Sequence, residues 1–231
     1  MRICGLQKLT LLDYPGKTAC TVFLGGCNFR CPFCHNASLV LRPGEQPDLT
    51  REEVLRFLQK RKNVLDGVCV TGGEPTLLPG LLPFLRELRG LGYAVKLDTN
   101  GTNPALLREA LAEGLLDCVA MDIKSSPSGY AAAAGIPNPD MAAIQESINL
   151  LRSGAVPYEF RTTVVRELHT PKIMAELGRW LAGPSPYFLQ NFVDSGDLVA
   201  SGMSACSREE LLSLQAAVVP YLPKVQLRGV E

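Results

Sequence analysis

The 231 residues carry no net charge, with 23 lysines and arginines against 23 aspartates and glutamates. No overall field therefore draws the chain to nucleic acid or to an anionic lipid surface. No run approaches the ~20 apolar residues of a membrane span. The first residues, Met1-Arg-Ile-Cys-Gly-Leu-Gln-Lys8, have none of the apolar core of a secretory leader. Linkers, internal repeats and low-complexity stretches are missing too, which favours a single domain over residues 1–231. Together these absences predict a cytoplasmic protein with no nucleic-acid and no membrane partner. Eight cysteines without a leader point to a reducing compartment, where clustered thiols bind metal rather than pair.

The hydrophobic fraction of 46% suits a full core, and its pattern alternates short apolar or β-branched runs with amphipathic stretches. Strands are predicted at 19–25, 67–71, 93–99, 117–123, 158–165, 187–192 and 225–228. Helix starts lie between them. Thr50 with Glu53 and Ser207 with Glu210 read as capping boxes. Asn103-Pro104 and Thr170-Pro171 read as caps followed by proline in the first turn. A leucine-rich helix is predicted from Pro79 to a stop at Gly92, and another over 140–152. Strand–helix alternation with right-handed crossovers makes a parallel sheet. Six βα units are too few for a closed eight-fold barrel, which needs roughly 250 residues. The fold class predicted is α/β, a partial (β/α)6 TIM-like barrel with a parallel sheet, outer helices and a core of about residues 15–228.

Active sites of such folds gather at the carboxyl ends of the strands, and polar residues do cluster there. Cys27, Cys31 and Cys34, spaced C-x3-C-x2-C, follow the first predicted strand. Three thiolates can hold a [4Fe–4S] cube and leave one iron open for a ligand; the alternative is a zinc knuckle with a fourth ligand such as His35. Thr71-Gly-Gly-Glu-Pro75 is either a tight turn or a place where Gly72 and Gly73 let a ligand approach the backbone, with Glu74 as acceptor for an amine. Asp98, Thr99 and Asn100, with Asp122 and Lys124, offer acceptors for a sugar or cation and a donor for a carboxylate. Asp122 and Lys124 could equally form a salt bridge. Arg161 lies in an apolar strand and needs a partner, for which a ligand carboxylate is suitable. His35 could tune a cluster or guide its ligand. His169 reads as a surface loop residue before a helix cap, and Gln190 ends the sixth strand.

The cysteine triplet with Phe33 between its last two members, the Gly-Gly-Glu and the order of the units resemble radical S-adenosylmethionine enzymes. Leu12-Asp-Tyr-Pro-Gly-Lys17, Gly26-Cys-Asn-Phe-Arg-Cys-Pro-Phe-Cys-His-Asn36 and Asp98-Thr-Asn-Gly101 are more narrowly similar to the activating proteins of glycyl radical enzymes, above all the longer form that serves anaerobic ribonucleoside-triphosphate reductase. The resemblance implies an oxidoreductase with one [4Fe–4S] cluster on Cys27, Cys31 and Cys34, since residues 35–50 hold no further cysteine. It implies S-adenosylmethionine met by Gly72, Gly73 and Glu74 at its amino group, by Phe33 near adenine, and by Thr99, Asn100 and Lys124 at ribose and carboxylate. A monovalent cation beside Asp98 and Asp122 goes with it, and so does a flavodoxin- or ferredoxin-type electron donor. The catalytic groups implied are the cluster and cofactor themselves, and the partner a glycyl radical enzyme. Pyruvate formate-lyase-type activation, or a small-molecule radical reaction such as deazapurine synthesis, is the alternative.

Overall fold

The computed structural model describes residues 1–229. Strand β1 (Ile3–Thr10) is followed by β2 (Ala19–Leu24), α1 (Ala37–Leu41), α2 (Arg51–Gln59), β3 (Gly67–Gly72), α3 (Leu81–Gly90), β4 (Ala94–Thr99), α4 (Pro104–Ala112) and β5 (Cys118–Asp122). Then come α5 (Tyr130–Ala134), α6 (Met141–Arg152), β6 (Tyr158–Val164), α7 (Pro171–Trp180), β7 (Tyr187–Asn191), α8 (Arg208–Val218) and β8 (Val225–Arg228). The strands are ordered β1 to β8 as in the sequence. β1 runs antiparallel to β2, while β2–β3, β3–β4, β6–β7 and β7–β8 are parallel. The α/β class with a mostly parallel, unclosed sheet is as predicted. β1 was not foreseen. Its Gln7-Lys8-Leu9 stretch is exposed, so the segment has no clean alternation to mark it as a strand.

The chain forms two compact units. The first comprises Met1–Asn28, Ser38–Ala120 and Ala143–Tyr158. Its strands β2 and β3 are buried along nearly their whole length, as in parallel strands covered on both faces. Leu81, Phe84, Leu85 and Leu88 of α3 are fully buried and repeat at helical spacing, each worth ~1.5–3 kcal/mol. The Thr50 capping box is complete, and Asn103 accepts a hydrogen bond from the Leu106 amide at 3.2 Å. α3 begins two residues after Pro79, because Gly80 takes the cap position with φ 90°.

The second unit comprises Phe29–Ala37, Met121–Ala142 and Glu159–Glu231. Phe160, Tyr187 and Leu189 from its strands, and Met174, Leu177 and Val218 from its helices, form its core. Ser207 closes a full capping box and Thr170 caps α7. The five-residue α5 was not predicted. Tyr-Ala-Ala-Ala-Ala is too short to show a helical period, and Gly135, in the left-handed region at φ 66°, ends it.

Candidate functional site

In the first unit the carboxyl ends of β2, β3 and β4 carry Cys27, Gly72, Gly73, Glu74, Asp98, Thr99 and Asn100. Gly73 N and Glu74 N donate to the carbonyls of Leu24 and Gly26, both at 2.8 Å. A Cβ on Gly72 would lie 2.3 Å from Leu24 O, and one on Gly73 1.9 Å from Gly26 O. The chain's own backbone thus requires both glycines.

Glu74 is 1% exposed. Its Oε1 accepts from Thr76 N at 3.1 Å, Thr76 Oγ1 at 2.6 Å and Thr99 Oγ1 at 2.7 Å, and Oε2 accepts from Asn100 N at 2.6 Å. Burial raises the Glu74 pKa and these donors pull it back. One carboxylate thereby fixes the turn after β3 against the end of β4. Asn100 passes the order on to the cysteine loop: its Nδ2 donates to Asn28 Oδ1 at 2.9 Å and lies 3.9 Å from Cys27 Sγ. Asp98 receives Lys96 Nζ at 2.5 Å and Thr71 Oγ1 at 3.3 Å, with Lys96 only 1% exposed.

In the second unit stand Cys31, Phe33, Cys34, His35, Asp122, Lys124 and Arg161. The cysteine segment is braced through its backbone. Arg30 N donates to Ala134 O at 2.8 Å, and Ala200 N donates to Pro32 O at 3.0 Å. Asp122 at the end of β5 accepts from Lys124 Nζ at 3.2 Å and from Arg161 Nε at 2.9 Å. Desolvation opposes ionisation of Asp122, yet Arg161 and Lys124 hold its carboxyl well below the usual range. Arg161, expected to await a ligand carboxylate, already has one in Asp122. Asp98 and Asp122 each carry a protein counter-charge, from Lys96 and from Lys124 and Arg161.

Burial by surrounding groups lowers the Lys124 pKa, but Asp122, Cys31 and Cys34 overcome this and raise it, so the ammonium stays charged near both thiols. His35 is exposed at its surface; desolvation, Lys124 and Arg161 push its pKa down, and Asp122 offsets them only in part. His169, predicted to be a surface loop residue, is 3% exposed. Its Nδ1 accepts from Val165 N at 3.0 Å, and its Nε2 lies 3.0 Å from Lys124 O. These partners fix the neutral tautomer with the proton on Nε2. Phe33, itself 3% exposed, packs edge-on against that ring with centroids 6.1 Å apart. The sequence gives no sign of this role, because His169 sits among ordinary loop residues.

Among the described residues, no group of three or more His, Cys, Asp or Glu side chains could hold a single metal ion. Nor is any helix of the described residues long and apolar enough to cross a membrane. A cavity of about 420 Å³ lined by Lys17, Lys62, Asp66, Arg89 and Tyr93 lies at the amino ends of β3 and β4. It contains none of the candidate residues and is not their site.

A protein of Methanocaldococcus jannaschii, provisionally named a glycyl-radical enzyme activating enzyme, is 28% identical over 235 residues, covering 99% of this chain and 96% of its own. The pyruvate formate-lyase-activating enzyme of Clostridium pasteurianum is 34% identical over 140 residues, 58% of this chain and 57% of that one. In fold, the chain is similar to a radical SAM methyltransferase from Sphaerobacter thermophilus, with a TM-score of 0.73 at 15% identity over 93% of this chain and 67% of the other. The family model of the radical SAM superfamily matches residues 21–169, a span that holds all three clustered cysteines, Glu74, Asn100 and the Asp122–Arg161 pair; the chain belongs to that superfamily.

Proposed function

We propose that the protein activates a glycyl radical enzyme, using a [4Fe–4S] cluster and S-adenosylmethionine. What carries the reading is the likeness to the provisionally named M. jannaschii activating enzyme along almost the full length of both chains. The residues present fit the groups the family uses. Cys27 and Cys34 are partly exposed, Cys31 is buried, and a charged Lys124 stands near the latter two.

Cys27, Cys31 and Cys34 would hold the cluster. Glu74 Oε2 accepts from Asn100 N and keeps a second lone pair for an amino group. Thr99, Asn100 and Lys124 would meet ribose and carboxylate, Phe33 the adenine, and His35 and Arg161 the surroundings of the same ligand. When bound, the cluster supplies the electron that breaks the sulfonium carbon–sulfur bond, freeing the nucleoside radical that takes hydrogen from the partner's glycine. The chain's own part is positional. Glu74 sets Thr99 and Asn100, Asn100 steadies Cys27 and Asn28, and His169 holds the Lys124 backbone.

The proposed partner is anaerobic ribonucleoside-triphosphate reductase, with pyruvate formate-lyase second because the C. pasteurianum relative bears that name. Electrons would come from a flavodoxin or ferredoxin in the cytoplasm. The test is to mix the reconstituted protein, S-adenosylmethionine and reductant anaerobically with each purified partner and record EPR. A glycyl radical doublet on the reductase alone is expected. A doublet on pyruvate formate-lyase alone would transfer the assignment, and none on any glycyl radical enzyme would contradict the activating function.

A further inference from the structure

The connection from β7 to α8, residues 192–207, contains no helix or strand. Loops longer than ~12–15 residues without structure of their own are uncommon and mostly functional. This one is gripped at both ends. Phe192, 2% exposed, donates its amide to Val164 O at 3.2 Å. Toward the other end, two residues are each held through both their N–H and their carbonyl. Ser204 N donates to Glu167 Oε2 at 2.9 Å, and Ser204 O accepts from Arg166 N at 3.1 Å. Cys206 N donates to Asn191 Oδ1 at 3.0 Å, and Cys206 O accepts from Asn191 Nδ2 at 2.9 Å. The Asn191 side chain therefore closes a ring, joining the last residue of β7 to the far end of the loop that follows it.

Between these grips the loop meets the segment that carries Cys31 and Cys34. Ser195 Oγ donates to His35 O at 3.3 Å. Asp197 O accepts from Ala37 N at 3.4 Å, and Ala200 N donates to Pro32 O at 3.0 Å. The three contacts fall on both sides of Cys34, whose own amide donates to Cys31 O at 3.0 Å. The loop also holds itself at this place. Gly196 N donates to Asp194 Oδ1 at 2.8 Å, and Asp197 N donates to Ser195 Oγ at 3.3 Å.

The cysteine segment needs such help. Residues 29–36 form neither helix nor strand, so no regular ladder sets their backbone, and partners elsewhere in the chain must do so. All of these contacts lie within the second unit.

We infer that residues 192–206 are a strap that sets the backbone of Cys31 and Cys34, and that Asn191, which closes the strap, is a positioning residue for the cluster. The inference rests on the reading of these cysteines as cluster ligands. Ligands held in register by a supporting shell bind without first ordering their own backbone. Asn191 acts through the strap and touches neither thiol.

The test compares wild type with Asn191→Ala and Ala200→Pro. The first opens the ring; the second removes the donor to Pro32 O and leaves the Asn191–Cys206 pair in place. In the metal-free proteins, iodoacetamide labelling is followed cysteine by cysteine by mass spectrometry. Loss of an anchoring hydrogen bond is expected to speed labelling of Cys31 and Cys34 about fivefold in both variants. Cys20 and Cys27 belong to the other unit and are expected to keep their wild-type rates. After anaerobic reconstitution, both variants are expected to release iron to a chelator faster than wild type by a similar factor. Unchanged labelling of Cys31 and Cys34 in either variant would overturn the inference. Faster labelling of all cysteines alike would overturn it too, because that reports general unfolding and not release of one segment. Wild-type iron release from variants whose labelling has changed would remove the positioning role. If wild type itself took up no cluster, the ligand reading would fall first and the positioning role with it.

Discussion

Cys31→Ala is expected to abolish cluster assembly while the chain stays folded. Cys31 is 6% exposed, so the loss of its sulfur leaves a small defect costing about 1 kcal/mol. Neither of the backbone hydrogen bonds that hold the segment, from Arg30 N to Ala134 O and from Ala200 N to Pro32 O, uses the side chain. Against a typical total stability of roughly 5–15 kcal/mol, the fold survives. The cluster does not, because two thiolates cannot hold a cube that needs three corners. Iron and sulfide analysis after reconstitution, beside circular dichroism for the fold, checks both halves. Cys20→Ala serves as control: Cys20 is fully buried in β2, and burial pushes its thiol up to about 12, so it is expected to load normally. A Cys31→Ala protein with a full [4Fe–4S] complement would contradict the ligand assignment.

Gly73→Ala is expected to have the larger effect on stability. Its Cβ would stand 1.9 Å from the carbonyl oxygen of Gly26, and that obstacle is backbone, not a flexible side-chain end. Relief requires the end of β3 to move from the end of β2. That movement lengthens the bonds from Gly73 N to Leu24 O and from Glu74 N to Gly26 O. Overpacking of this kind costs about 3 kcal/mol or more, and the lost hydrogen bonds add roughly 1 kcal/mol each. Because Glu74 follows directly, its bonds to Thr76, Thr99 and Asn100 shift as well, and S-adenosylmethionine affinity should fall with stability. Thermal unfolding measures the first effect and equilibrium binding the second. A variant with wild-type midpoint and affinity would show that the close approach of β2 and β3 is not needed.

Much of this was legible in the residues because parallel α/β folds put chemistry at strand ends. Gly72, Thr99 and Asp122 close β3, β4 and β5, so strand prediction alone collected most of the candidates. Capping boxes at Thr50 and Ser207 were equally readable, since they are local side chain to backbone chemistry. What stayed hidden was pairing across the chain. Arg161 announced a need for a partner, but the identity of Asp122 as that partner depends on the alignment of β5 with β6. His169 looks like any polar residue before a helix cap, and its burial against Phe33 is a tertiary fact. α5 gave a fainter signal. Four alanines before a glycine make a segment of small side chains, and such segments mark close backbone approach, here of Gly135 to Arg30 O. The Gly-Gly pair was legible as a place of close approach, and its nearest neighbours are the chain's own Leu24 and Gly26 carbonyls.

The claim at the centre of this account is that three cysteines hold a cluster whose open iron meets S-adenosylmethionine. Anaerobic reconstitution with iron and sulfide, reduction, and EPR before and after addition of S-adenosylmethionine test it most directly. The account predicts a [4Fe–4S]+ signal whose g-values change when the compound is added. A reduced cluster whose spectrum ignores S-adenosylmethionine, or a protein that takes up only zinc, would contradict it.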